Sequence, residues 1–250
     1  MGHGGNDRVR AHAVHLVRYL LHRDAVLRLA ESYAAVLPLL LSRALVRERT
    51  DAHEREQALK CMRALVSWTE RLGLGETLVT EGLVRTLTAI AQEPEDPLYA
   101  SVIETLAELA MLDAPLLGRT LALEPLWRAI CDMPPARSLA LADGLLGLLE
   151  RPETRRLVGA NMDLAAVLAG FTNVPLVTQD HYDQRLRTTE QVVLRLLSTW
   201  QGLLYLCLDD GVALRALVAA LRLDQERTQM RILATLTALF RPTEPRPPPR

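Results

Sequence analysis

Two histidines three residues apart, His12 and His15, share one face of a candidate N-terminal helix, with His22 and His53 further along. Imidazoles at that spacing can share a metal ion, since residues three or four apart on a helix are neighbours. A metal would need more ligands, and no second pair lies nearby and no HExxH occurs. Packed or solvated histidines are the preferred reading, and neither metal nor cofactor is expected. Asp180, His181 and Asp183 cluster in a polar stretch and could imitate part of a catalytic triad. A nucleophile would need a strained turn such as GxSxG, which the sequence lacks. A polar surface loop, open to phosphorylation or partner contact, accounts for them. Gly73 and Gly75 in RLGLGETL faintly suggest a phosphate loop, but the following Lys and the preceding strand are missing. Helix punctuation accounts for those glycines, and no catalytic residue is assigned.

The densest basic cluster is Arg151, Arg155 and Arg156 in RPETRR. Guanidinium groups so grouped could receive a phosphate or an acidic partner. They are the candidate partner-binding residues, set against a default in which they form a solvated first turn paired with Glu150 and Glu153. Trp68, Trp127 and Trp200 stand at helical spacing with Leu, and each is expected in the core.

The elements that would position these side chains are helices. The chain has 250 residues, 49% hydrophobic and only 4% aromatic. Much of the apolar content is Leu and Ala, which favour helix over strand, and sustained period-2 alternation is missing. Three- and four-residue spacing predicts helices at 7–22, 24–32, 34–47, 52–72, 82–92, 97–112, 121–132, 136–150, 153–169, 186–208, 212–222 and 225–240. Over 188–208 the apolar stripe runs Val193, Leu196, Leu197, Trp200, Leu203, Leu204, Cys207 and Leu208. Over 53–72, Leu59, Met62, Leu65, Val66 and Leu72 point inward, with Glu54, Arg55, Lys60, Arg63 and Glu70 mostly outward. Pro97 behind Asp96 resembles an N-terminal proline behind a cap, Pro135 and Pro152 suit helix starts, and Asp51 with Glu54 resembles a capping pair. Gly73 and Gly211 suit positions just past a helix end.

The helices pair, with units beginning near 52, 97, 135, 186 and 225. That period of roughly 40 residues fits armadillo or HEAT repeats. The expected architecture is an all-α solenoid of stacked helical hairpins over 7–240, after a disordered lead-in at 1–6 and before a Pro-rich linker at 241–250. One hairpin cannot cover its own apolar face, so neighbours stack, and the extended surface left over is what such proteins use for binding. The stretch 171–184 is expected as a long loop. The tail RPTEPRPPPR cannot continue a helix. The last helix, with Ile232, Leu233, Leu236, Leu239 and Phe240, is apolar enough to want another neighbour, so the chain is expected to be part of a longer protein or to dock there.

The formal net charge is −1, from 29 basic and 30 acidic residues, which argues against nucleic acid or an anionic membrane as main partner. Lys60 is the only lysine. Cys61, Cys131 and Cys207 each sit among apolar residues and form no CxxC, so neither a disulfide framework nor a zinc site is implied. The polar start is no signal peptide, Asn6 spoils a myristoylation motif, and no apolar run is long enough to span a bilayer. A soluble, cytoplasmic protein is expected.

A run of blocks in fixed order adds a family reading: LLHRDAV (20–26), EREQALKCMRALV (54–66), RPETRRLV (151–158), TWQGLLYLC (199–207) and LTALFRP (236–242). Together, over Leu20 to Pro242, they resemble the N-terminal helical-repeat region of the Rictor/Ste16 family, subunits of the second target-of-rapamycin kinase complex. No block is a catalytic signature. The resemblance implies a non-catalytic scaffold that helps assemble a Ser/Thr kinase complex acting on AGC-family kinases and not directly inhibited by rapamycin. Its partners would be the target-of-rapamycin kinase and accessory subunits, with membrane association only peripheral and through the complex. Two rival readings remain. One is an unrelated armadillo/HEAT adaptor; an importin-like groove would need an Asn ladder, and only Asn161 and Asn173 occur mid-chain. The other is a helical enzyme, which would need converging carboxylate and histidine pairs that the sequence lacks.

Overall fold

The computed structural model describes residues 3–34, 36–46, 52–73, 78–130, 132–160, 167, 179–200 and scattered positions from 202 to 237. Among these, every regular element is a helix. The expected all-α class holds. Asp51, Gly75, Gly211, Asn161, Asn173, the loop stretch 171–178 and the tail lie outside the described residues, as does most of 201–240.

Among the described residues, eleven helices are defined: α1 (His3–Leu20), α2 (Arg23–Ser32), α3 (Val36–Leu45), α4 (Ala52–Leu72), α5 (Glu81–Ile90), α6 (Tyr99–Leu112), α7 (Ala114–Arg119), α8 (Leu123–Ala129), α9 (Pro135–Glu150), α10 (Pro152–Ala160) and α11 (Gln179–Leu197). The chain divides into two compact units, Met1–Pro125 and Leu126–Arg250.

Local chemistry explains most boundaries. Thr80 caps α5, its hydroxyl accepting from the Leu83 amide at 3.4 Å. Pro135 and Pro152 open α9 and α10, as their fixed φ and missing N–H favour. Gly73, at φ +67, follows the end of α4 in the left-handed region that glycine adopts without strain. Three boundaries correct the sequence reading. Helix α1 begins at His3, inside the expected lead-in, because each added residue of an existing helix gains a backbone hydrogen bond. Helix α6 begins at Tyr99, because Asp96 and Pro97 form a turn in which the Asp96 carboxylate accepts from the Leu98 amide at 2.9 Å. Helix α7 went unpredicted, although Asp113 accepts from the Leu116 amide at 2.9 Å and a proline stands in its first turn.

In the first unit, α4 is the hub. It packs on α1, α2, α3 and α6, while α3 packs on α5 and α5 on α6. This crowding corrects the expected outward placement of Glu54 and Arg55: both are buried, as is Gln57. Buried charges need partners. The Arg10 Nε donates to both Glu54 carboxylate oxygens at 3.1 and 3.2 Å. The Arg55 Nη2 donates to Asp96 Oδ2 at 2.6 Å, and its Nε donates to the Leu45 carbonyl at 3.0 Å, joining the end of α3, the start of α4 and the turn before α6. The apolar core of α4, with Leu59, Cys61, Met62, Leu65 and Val66, is buried as periodicity predicts. In the second unit, α9 packs on α10 and α11. Trp127 is fully buried, as expected.

Candidate interaction surface

His12 and His53 meet edge to face with ring centroids 6.4 Å apart, across α1 and α4. His15 Nδ1 lies 3.1 Å from Gln57 Oε1, and His22 Nδ1 lies 2.7 Å from the Leu20 carbonyl oxygen. Among the described residues no three His, Cys, Asp or Glu side chains gather as metal ligands would. Asp180, His181 and Asp183 belong to the first turns of α11 rather than to a loop.

The arginine cluster is put partly to structural use. The Arg155 Nε donates to the Leu149 carbonyl and its Nη2 to the Glu150 carbonyl, each at 2.9 Å. These are carbonyls at the end of α9, where the chain turns into α10 and a cation is favoured. Arg151 and Arg156 are exposed on the same turn.

Trp200 corrects a clear expectation: it is 77% exposed, not core. The stripe that should hold it is broken. Val193 and Leu196 are buried, but α11 ends at Leu197. The Ser198 hydroxyl donates to the Arg195 carbonyl at 2.8 Å, and the Thr199 hydroxyl donates to the Leu196 carbonyl at 3.0 Å while accepting from the Gly202 amide at 3.1 Å. Hydroxyls that bond neighbouring backbone compete with the helical ladder. The chain turns there, and Trp200 and Leu204 face outward.

Sequence reading missed a groove on the first unit. Along α4, Lys60, Arg63, Ser67 and Glu70 form one stripe, and Glu104, Glu108, Met111 and Leu112 lie on α6. Between the two helices runs an open groove of about 440 Å³, lined by Arg63, Val66, Ser67, Glu70, Glu108, Met111 and Leu112. Val66 is buried, whereas Leu112 is 40% exposed. Arg63 is held on the rim, with Nη2 2.7 Å from Glu108 and Nη1 3.5 Å from Glu104. The Glu70 carboxylate is exposed and has no ion-pair partner among the described residues. The residues of Arg63's pairs lie 41 and 45 apart in sequence, so no local motif announces them.

The profile of one protein family, described as "Rapamycin-insensitive companion of mTOR, N-term", matches residues 4–247, nearly the whole chain. The chain belongs to the Rictor family. The match is to the N-terminal region, as the ordered blocks implied. Among curated Rictor-family relatives, "Target of rapamycin complex 2 subunit ste20" of Schizosaccharomyces pombe is 30% identical over 74% of this chain and 15% of its own length. "Rapamycin-insensitive companion of mTOR" of Homo sapiens is 23% identical over 93% of this chain, and that of Mus musculus 21% over 93%, each match covering 14% of the relative. The chain thus spans about one seventh of the relatives it matches.

Proposed function

We propose that this Rictor-family chain acts as a non-catalytic scaffold segment of a target-of-rapamycin complex 2 subunit, helping assemble the complex that signals to AGC-family kinases. The family match over residues 4–247 carries the proposal. One relative's name places it in target of rapamycin complex 2, and another is named a companion of mTOR.

The fold supports a repeat scaffold. Ion pairs recur between residues 44 apart (Arg10 and Glu54), 41 apart (Arg55 and Asp96), and 41 and 45 apart (Arg63 with Glu104 and Glu108). A spacing close to one helical repeat is what stacked hairpins produce, because each contacts only its neighbours. The pairings α3 with α5 and α4 with α6, beside α3 with α4 and α5 with α6, fit two layers of helices stacked in the armadillo/HEAT manner.

The partners in this reading are a target-of-rapamycin Ser/Thr kinase and accessory subunits, met in the cytoplasm, with any membrane association arising through the complex. Among the described residues no helix is long and apolar enough to cross a membrane. The unrelated-adaptor reading gains nothing from family membership.

Affinity purification of the tagged full-length protein that carries this chain tests the proposal. Target-of-rapamycin kinase is expected in the eluate, and internal deletion of residues 4–247 is expected to reduce it. Recovery of nuclear transport factors in its place overturns the reading.

A further inference from the structure

We infer that the groove between α4 and α6 is a docking site for a basic amphipathic peptide segment of a partner protein, one that lays apolar side chains on Val66, Met111 and Leu112 and sets an Arg or Lys against Glu70 and Glu108. This deepens the scaffold reading and rests on it only for the premise that the chain binds proteins.

Shape supplies the first argument. The groove holds about 440 Å³ and is open to solvent, enough for a few side chains but not for a folded domain. The apolar part of its lining, Val66, Met111 and Leu112, offers a seat for an apolar anchor.

Charge supplies the second. Of three carboxylates, Glu70 and Glu108 line the groove with one guanidinium, that of Arg63, and Glu104 lies 3.5 Å from that guanidinium. Arg63 is engaged by two of them, so it offers an incoming anion little. Glu70 has no cation among the described residues. An approaching Arg or Lys therefore meets a net negative rim, while an acidic peptide or a nucleic acid is repelled. Glu108 is 49% exposed, so its second oxygen stays within reach of a visiting guanidinium. Ser67, midway along the α4 wall, adds a hydroxyl for the partner's backbone.

The test is fluorescence anisotropy on the full chain, with two labelled helical probes: one of Leu, Ala and Arg, the other with every Arg replaced by Glu. The basic probe is expected to bind, more weakly as salt rises. Glu70→Lys is expected to weaken it roughly tenfold by adding like charge. Arg63→Ala is expected to strengthen it, because the resident competitor for Glu108 is gone. The helical circular dichroism signal of each variant checks the fold, and both positions lie at the surface. No binding of the basic probe, equal binding by the acidic probe, or loss of binding in Arg63→Ala overturns the inference. So does self-association of the chain through this face, seen as a dimer in sedimentation that Glu70→Lys dissolves. Kinase recovery by the full-length protein is scored separately. Intact recovery with failed peptide binding removes the groove and leaves the scaffold reading, whereas failed recovery removes the scaffold.

Discussion

Arg55 shows how little of a side chain's fate its own type decides. An arginine near the start of a helix ordinarily points to water, yet this one is buried with Asp96 beneath α3 and α4. Removing the guanidinium leaves the buried Asp96 carboxylate without its Arg55 counter-charge, so Arg55→Met is expected to cost about 3–5 kcal/mol, read as a lower urea midpoint. Cys61 makes the opposite point. Burial pushes its thiol up from 9.0 to about 11, with the Arg18 charge opposing only weakly. The folded protein then holds this proton more tightly than the unfolded chain between those values. Stability from this group is complete below pH 9 and falls as pH rises towards 11, by about 2–3 kcal/mol in all. Subtracting the alkaline unfolding profile of Cys61→Ala from that of the unaltered chain isolates the loss. At neutral pH the buried thiol is expected to resist alkylation until the chain unfolds.

Helix boundaries are where neighbouring residues overrule periodicity. The apolar stripe from Val193 to Leu208 reads as one helix only if Ser198 and Thr199 are counted as ordinary helical positions. Their hydroxyls bond the backbone instead, α11 stops at Leu197, and Trp200 falls outside the buried stripe. Trp200→Ala is therefore expected to shift stability by about 0.5 kcal/mol or less, against about 3–5 kcal/mol for the buried Trp127→Ala, compared by thermal melting. Gly202→Ala is the sharper case. A Cβ there would stand 1.9 Å from the Leu196 carbonyl oxygen, so a loss of about 1–3 kcal/mol is expected in the same melts. The helical class, the inward stripe of α4 and the proline-led starts of α9 and α10 were all legible, because they depend on spacing and backbone geometry alone. The turn after α11 was written in Ser198 and Thr199 but outweighed by the stripe. The groove was illegible, since Arg63 and its carboxylates come together only when α6 packs on α4.

Within the first unit, ion pairs between residues 41 to 45 apart tie α4 to α1, to α6 and to the turn before it, and the repeat reading proposed above expects stability there to be local to such neighbours. Arg10→Ala leaves the Glu54 carboxylate buried without that guanidinium. Hydrogen exchange is expected to quicken in α1 and α4 while α9 and α11 keep their protection, and uniform quickening would reject this locality. Family membership was legible only through the ordered blocks, since a balanced charge and a Leu-rich composition fit many helical proteins. Lys60 sits on α4 in the stripe that runs on through Arg63, Ser67 and Glu70, its ammonium held by Glu56 one turn away. Apart from the N-terminus it is the chain's sole primary amine. An amine-directed cross-linker therefore has one interior anchoring point in this segment, and it stands beside the groove. Mass spectrometry of cross-linked complexes would read any conjugate at Lys60 as a neighbour of that face, with no competing lysines to blur the map.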